Sequence, residues 1–142
     1  MLLNLSLLFD TGLLVLIWLV QLVIYPSFTH YSFENMKTWH RIYTKRMTIV
    51  VFPLMLGQLV LGSINMYATT STVNTIKIIL MLIVWVLTFV IFVPLHKAVD
   101  ITSEYKLKDI LQKLVLKNWY RTIVWSIIFM ITLAQVLRPY LS

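Results

Sequence analysis

The 142-residue sequence contains no cysteine, three glycines, four prolines and only five acidic residues. Without cysteine, disulfide scaffolds and thiolate-held metal sites are excluded outright. The shortage of acids belongs to a wider shortage of charge: 12% of residues are charged, about half the usual quarter. There is no Gly-rich phosphate loop, carboxylate dyad, metalloprotease motif or serine triad, so ATPase, glycosidase and hydrolase readings have no support. The N-terminus also lacks the basic region and small-residue cleavage site of a signal peptide, so the first apolar run is expected to stay in the mature protein.

What the chain has in excess is apolar. Hydrophobic residues make up 60% and the mean hydropathy is +0.87, against about 45–50% apolar usage in soluble domains. A soluble protein of this size could not cover such a chain with polar surface. Crossing a bilayer takes about 20 apolar residues in a helix, and four segments qualify: Leu3–Tyr25, Thr48–Tyr67, Ile76–Leu95 and Trp119–Leu137. The sequence therefore predicts an all-α integral membrane four-helix bundle forming one domain over 1–142.

The net charge of +7 does not point to nucleic acid, because the basic residues cluster between apolar runs. Lys37, Arg41, Lys45 and Arg46 lie between spans one and two. Lys97, Lys106, Lys108, Lys113, Lys117 and Arg121 lie between spans three and four, leaving Lys77 and Arg138 for the opposite side. Because Lys and Arg collect on the cytoplasmic side, both long connections are expected in the cytoplasm and both termini outside. The polar link over Ala68–Thr75 makes spans two and three a tight hairpin. Ser32–Tyr43 reads as a helix leading into span two. Ser103–Lys117 carries Leu107, Ile110, Leu111, Leu114 and Val115 on one face. It predicts a helical extension of span four, either continuous or bent near Lys117.

Polar residues inside spans are costly and tend to face the bundle interior. Asp10 and Gln21 share a face of span one, and Gln58 and Asn65 share a face of span two. Hydrogen bonding between helices accounts for Gln21, Gln58 and Asn65, while Asp10 is read as solvated near the outer interface. Gly57, Gly62 and Ser63 predict a close helix approach. Pro53 and Pro94 each remove a backbone donor, and a bend at Pro94 would reorient His96. All four spans bring polar or aromatic groups to one layer near the basic end. Gln21, Tyr25, His40, Arg46, His96, Asn118, Arg121 and Trp125 are the candidate ligand-binding residues. Asn118, Arg121 and Trp125 stack on one helical face by their spacing. Lys45, Lys97, Lys117 and Trp39 are accounted for by anchoring at the interface.

Four stretches, "IWLVQLVIYPSF", "WHRIYTKR", "FVPLHKAVD" and "LVLKNWYRTIVWS", resemble a group of small, largely uncharacterised bacterial four-helix membrane proteins. Trp18, Gln21, Tyr25, Pro26, His40, Arg46, Pro94, His96, Asn118, Trp119, Arg121 and Thr122 fit that pattern. Ile24 and Tyr43 depart from it, standing where such members carry histidine. The second half is also similar to the anthrone-oxygenase-like membrane proteins. The layout more loosely resembles the HemJ type of protoporphyrinogen oxidase. These resemblances imply redox or aromatic small-molecule chemistry.

The expectation is thus a multi-pass protein of the cell inner (cytoplasmic) membrane with a His/Arg pocket binding haem, a quinone or a polycyclic aromatic. For haem, His40 and His96 would be the metal ligands. Whether it is an enzyme is left open by the sequence. The alternative is a non-enzymatic subunit of a larger complex or a lipid- or small-molecule-binding protein, with a homo-oligomer or partner membrane subunit. Its basic face would attract anionic headgroups. A transporter is least favoured, since one four-helix unit shows no inverted repeat.

Overall fold

In the computed structural model, which describes residues 1–141, the chain runs as four long helices. They are α1 (Leu2–His30), α2 (Phe33–Ala68), α3 (Thr72–Ile101) and α4 (Glu104–Leu141). All four are long and apolar enough to cross a membrane. Each packs on its chain neighbours, and α1 also packs along α4, so the four close into an up-and-down ring.

The two basic segments are helical, as the sequence predicts. Only Tyr31–Ser32 and Thr102–Ser103 lie outside helix, because the basic segments are helical extensions of α2 and α4. α4 runs through Lys117 without a break. The reason is periodicity: Leu107, Leu111, Leu114, Asn118, Arg121 and Trp125 are all buried at spacings of three and four, so one straight helix serves both halves. At the opposite end, the Ser71 hydroxyl caps α3 by accepting from the Asn74 amide at 3.2 Å. Gly57 is where Phe9 of α1 rests on α2, and Gly62 is where Met81 of α3 does; a Cβ at Gly62 would stand 2.8 Å from the Met81 sulfur. Ser63, expected at this contact, instead faces outward and donates to the Leu59 carbonyl at 2.9 Å.

α1 and α3 share an irregularity. Val20–Ile24 and Thr88–Phe92 are π-turns, in which the amides of Tyr25 and Val93 bond back five residues to the carbonyls of Val20 and Thr88. Each is followed by proline, Pro26 or Pro94, whose ring and missing N–H a regular helix accommodates poorly. The turns also keep the inward stripe in register. Leu13, Ile17, Gln21 and Tyr25 are spaced by four, as are Val84, Thr88, Phe92 and His96. Twelve residues of regular α-helix overshoot three full turns by about 120°. Absorbing one extra residue reduces that overshoot to about 20°. Pro53, by contrast, sits exposed in uninterrupted helix.

At the end holding the termini, polar side chains tie all four helices. Asp10 is 1% exposed, which corrects its reading as a solvated interface residue. It accepts from Gln58 Nε2 at 2.7 Å and Thr132 Oγ1 at 2.6 Å. Asn65 donates to Ser6 at 2.8 Å, Gln135 to Asn74 at 2.9 Å, and the buried Lys77 ammonium to Gln135 at 3.4 Å. Among the described residues, no buried side-chain nitrogen or oxygen lacks a partner, as an apolar surround demands.

Candidate functional site

Near the basic end the two π-turns and the straight α4 deliver a second polar layer. Tyr25 arrives from α1 and His96 from α3, each shortly beyond its π-turn. His40 comes from the extension of α2, and Asn118 and Arg121 from α4. Arg121 donates through Nη2 to the Tyr25 hydroxyl at 3.2 Å, and Tyr25 lies 3.1 Å from His96 Nε2. His96 Nδ1 is 2.9 Å from His40 Nε2, and His40 Nδ1 is 3.0 Å from Asp100 Oδ1. The result is an unbroken line from Arg121 to Asp100.

Behind this line, Arg121 is fixed in position. Its Nε and Nη2 donate to Asn118 Oδ1 at 3.0 and 2.6 Å. Asn118 in turn donates to Gln21 Oε1 at 2.9 Å, and Gln21 donates to the Val115 carbonyl at 3.2 Å. The guanidinium carbon sits 3.5 Å from the centre of the Phe92 ring, a stacking that suits this planar cation. His40 is completely buried, edge-on to Phe28.

A cavity of about 350 Å³ lies against the line. Its inner wall is Leu13, Ile17 and Val20 of α1 with Arg121 and Trp125 of α4, all buried. The exposed members of its lining, Thr48, Phe52, Phe89, Val93 and Lys97, all come from α2 and α3. The cavity therefore opens sideways between those two helices. Phe52 and Phe89 flank Trp85 there, at 6.0 and 5.6 Å between ring centres. For a chain in a bilayer, that mouth faces hydrocarbon.

Of the eight candidate residues, Tyr25, His96, Arg121 and Trp125 line the cavity. His40, Gln21 and Asn118 stand behind them as supports. Arg46 is a correction: it is exposed and takes no part. It lies six residues beyond His40, which on a continuous helix turns it about 120° away from the His40 face. Two residues of the site escaped the sequence reading. Asp100 ends the hydrogen-bonded line, and its spacing of four from His96 was the available signal. Tyr43, three residues past His40, is buried and lines the cavity. Among the described residues, no group of three or more His, Asp or Glu is arranged to hold a metal ion.

No protein-family model matches this chain, and neither a curated protein nor a solved structure matches it.

Proposed function

We propose that the protein is a multi-pass protein of the cytoplasmic membrane that binds a lipophilic aromatic ligand of the quinone or polycyclic phenol class and serves its redox chemistry. Both termini lie outside and the basic end lies in the cytoplasm, where it attracts anionic headgroups. The distribution of Lys and Arg supports this orientation. The observation that carries the functional reading is the line of hydrogen-bonding groups that begins at a cavity open to lipid and ends at Asp100. Trp85, Phe89, Phe92 and Trp125 supply flat apolar walls. Arg121 and Tyr25 supply a cation and a hydroxyl side by side for one ligand oxygen. Ligand sites combine apolar walls with a few such polar groups.

Haem fits this arrangement poorly. An axial ligand needs a free imidazole nitrogen aimed at the iron. Both nitrogens of His40 and both of His96 are already engaged with side chains, and His40 does not reach the cavity. The geometry favours an organic ligand held by its oxygens.

Titrating the detergent-solubilised protein with a short-chain naphthoquinone tests this. Saturable quenching of tryptophan fluorescence is expected, and it should shrink in Trp85→Phe and Trp125→Phe. Quenching that rises linearly, as for free tryptophan, would refute binding in this cavity.

A further inference from the structure

The line of groups beside the cavity has a direction that follows from donor and acceptor arithmetic. An ionised Asp100 can only accept, so His40 carries its proton on Nδ1 and donates it. Neutral His40 must then accept at Nε2, so His96 donates from Nδ1. That leaves His96 Nε2 as an acceptor, which the Tyr25 hydroxyl satisfies. The Tyr25 oxygen accepts from Arg121 and keeps one lone pair for a ligand. Every hydrogen bond thus points from the buried wall of the cavity towards Asp100, the partly exposed end of its lining, and every group between them titrates.

We propose that Tyr25, His96, His40 and Asp100 form a proton wire that takes the hydroxyl proton of the cavity ligand to water at the basic end, with Asp100 as the exit. This rests on the ligand class proposed above. The step balances as four transfers. The ligand O–H proton passes to the Tyr25 oxygen, and the Tyr25 proton passes to His96 Nε2. The His96 Nδ1 proton passes to His40 Nε2, and the His40 Nδ1 proton passes to Asp100 Oδ1. The net change is a ligand phenolate beside Arg121 and a protonated Asp100. Tyr25, His96 and His40 end neutral, as they began. Asp100 is 31% exposed, with Arg41 Nε 4.0 Å away and the exposed Lys97 one turn back on its own helix, so it hands the proton on to water.

The wire has one end only. Towards the termini, the next contacts are the Trp125 indole donating to Gln58 at 3.3 Å and Gln58 donating to Asp10. An indole N–H and a carboxamide have no second titrating position to pass a proton through. Ligand protons therefore exchange with the basic side and not with the other.

The test uses a dihydroxyanthraquinone whose phenolate absorbs at longer wavelength than its phenol. After stopped-flow mixing with the whole protein, binding is read by tryptophan quenching and ionisation by the new absorbance. Asp100→Asn and His40→Gln should slow ionisation of the bound probe at least about 100-fold, the scale of positioned proton transfer, with the quenching giving the fraction bound. Asp100→Glu should restore most of the rate. Ionisation should slow in D₂O for the wild type and lose that dependence in Asp100→Asn. Because Asp100 is partly exposed, its variants decide the matter even if His40→Gln does not fold. Probe bound with unchanged ionisation rate and isotope effect in Asp100→Asn overturns the wire alone. A wild-type protein that does not bind the probe overturns the ligand reading and the wire with it.

Discussion

Arg121→Ala is expected to abolish retention of a quinone-type ligand while the four helices stay folded. Among the described residues the side chain is the only cation on the buried wall of the cavity, and hydrogen bonds to charged groups contribute about 1.5–3 kcal/mol each. Loss of one such bond weakens binding roughly 10- to 150-fold, and the Phe92 stack is lost with it. The stronger comparison is Arg121→Lys, which keeps the charge. A lysine cannot reach Asn118 and Tyr25 with a planar fork, so it should recover little of the affinity. His96→Ala should likewise lose the ligand, because His96 lines the cavity and holds the Tyr25 hydroxyl at 3.1 Å. Equilibrium binding of a naphthoquinone to each purified variant measures this, with helical circular dichroism as the control for folding. Wild-type affinity in both Arg121→Ala and His96→Ala would remove the pocket from consideration.

Asp10→Ala is expected to give the largest loss of stability. It strips the acceptor from Gln58 Nε2, which has no second one among the described residues, and from Thr132 Oγ1, which can turn to the Ile128 carbonyl at 3.1 Å. An abandoned buried donor costs about 1–3 kcal/mol, so a loss of about 1–3 kcal/mol is expected from Gln58, to which the lost Thr132 bond adds. Neutral interhelical hydrogen bonds in membranes average about 0.6 kcal/mol, so Asn65→Ala, which breaks only a neutral bond to Ser6, should be milder. Asp10→Asn retains one acceptor oxygen and should fall between the two. Thermal unfolding in detergent ranks the three, and an Asp10→Ala midpoint equal to wild type would contradict the tie described for this end.

Most of the architecture was legible because apolar runs of membrane length announce themselves, and four of them are present in the structure as four helices. Convergence of polar groups from every helix also pointed to Tyr25, His96, Arg121 and Trp125, which line one cavity. Finer detail was lost where the count of residues per turn matters. Arg46 looked close to His40 along the chain and sits on another face of the same helix. Asp100 carried its signal in the spacing of four from His96, which puts the two on one face because α3 continues to Ile101. Asp10 could not be placed by depth alone, since its solvation depends on Thr132 and Gln58 from helices far away in sequence. The π-turns left a trace in the sequence, three consecutive steps of four between inward residues, each run reaching a Tyr-Pro or Val-Pro pair.

Those two turns bear on how such a site can be gained or lost. Each amounts to one surplus codon in an otherwise ordinary helix. Removing an exposed residue such as Val23 or Val90 would return the coil to regular α-helix and leave everything downstream on the same face, since eleven regular residues overshoot three turns by the same angle of about 20°. Straightening the coil with all its residues kept would instead turn the Tyr25 phenol or the His96 imidazole by about 100° out of the line, with not one residue of the pocket altered. The chemistry is thus fastened to two irregular turns, and loss of one residue from either is expected to be tolerated better than substitution inside the cavity.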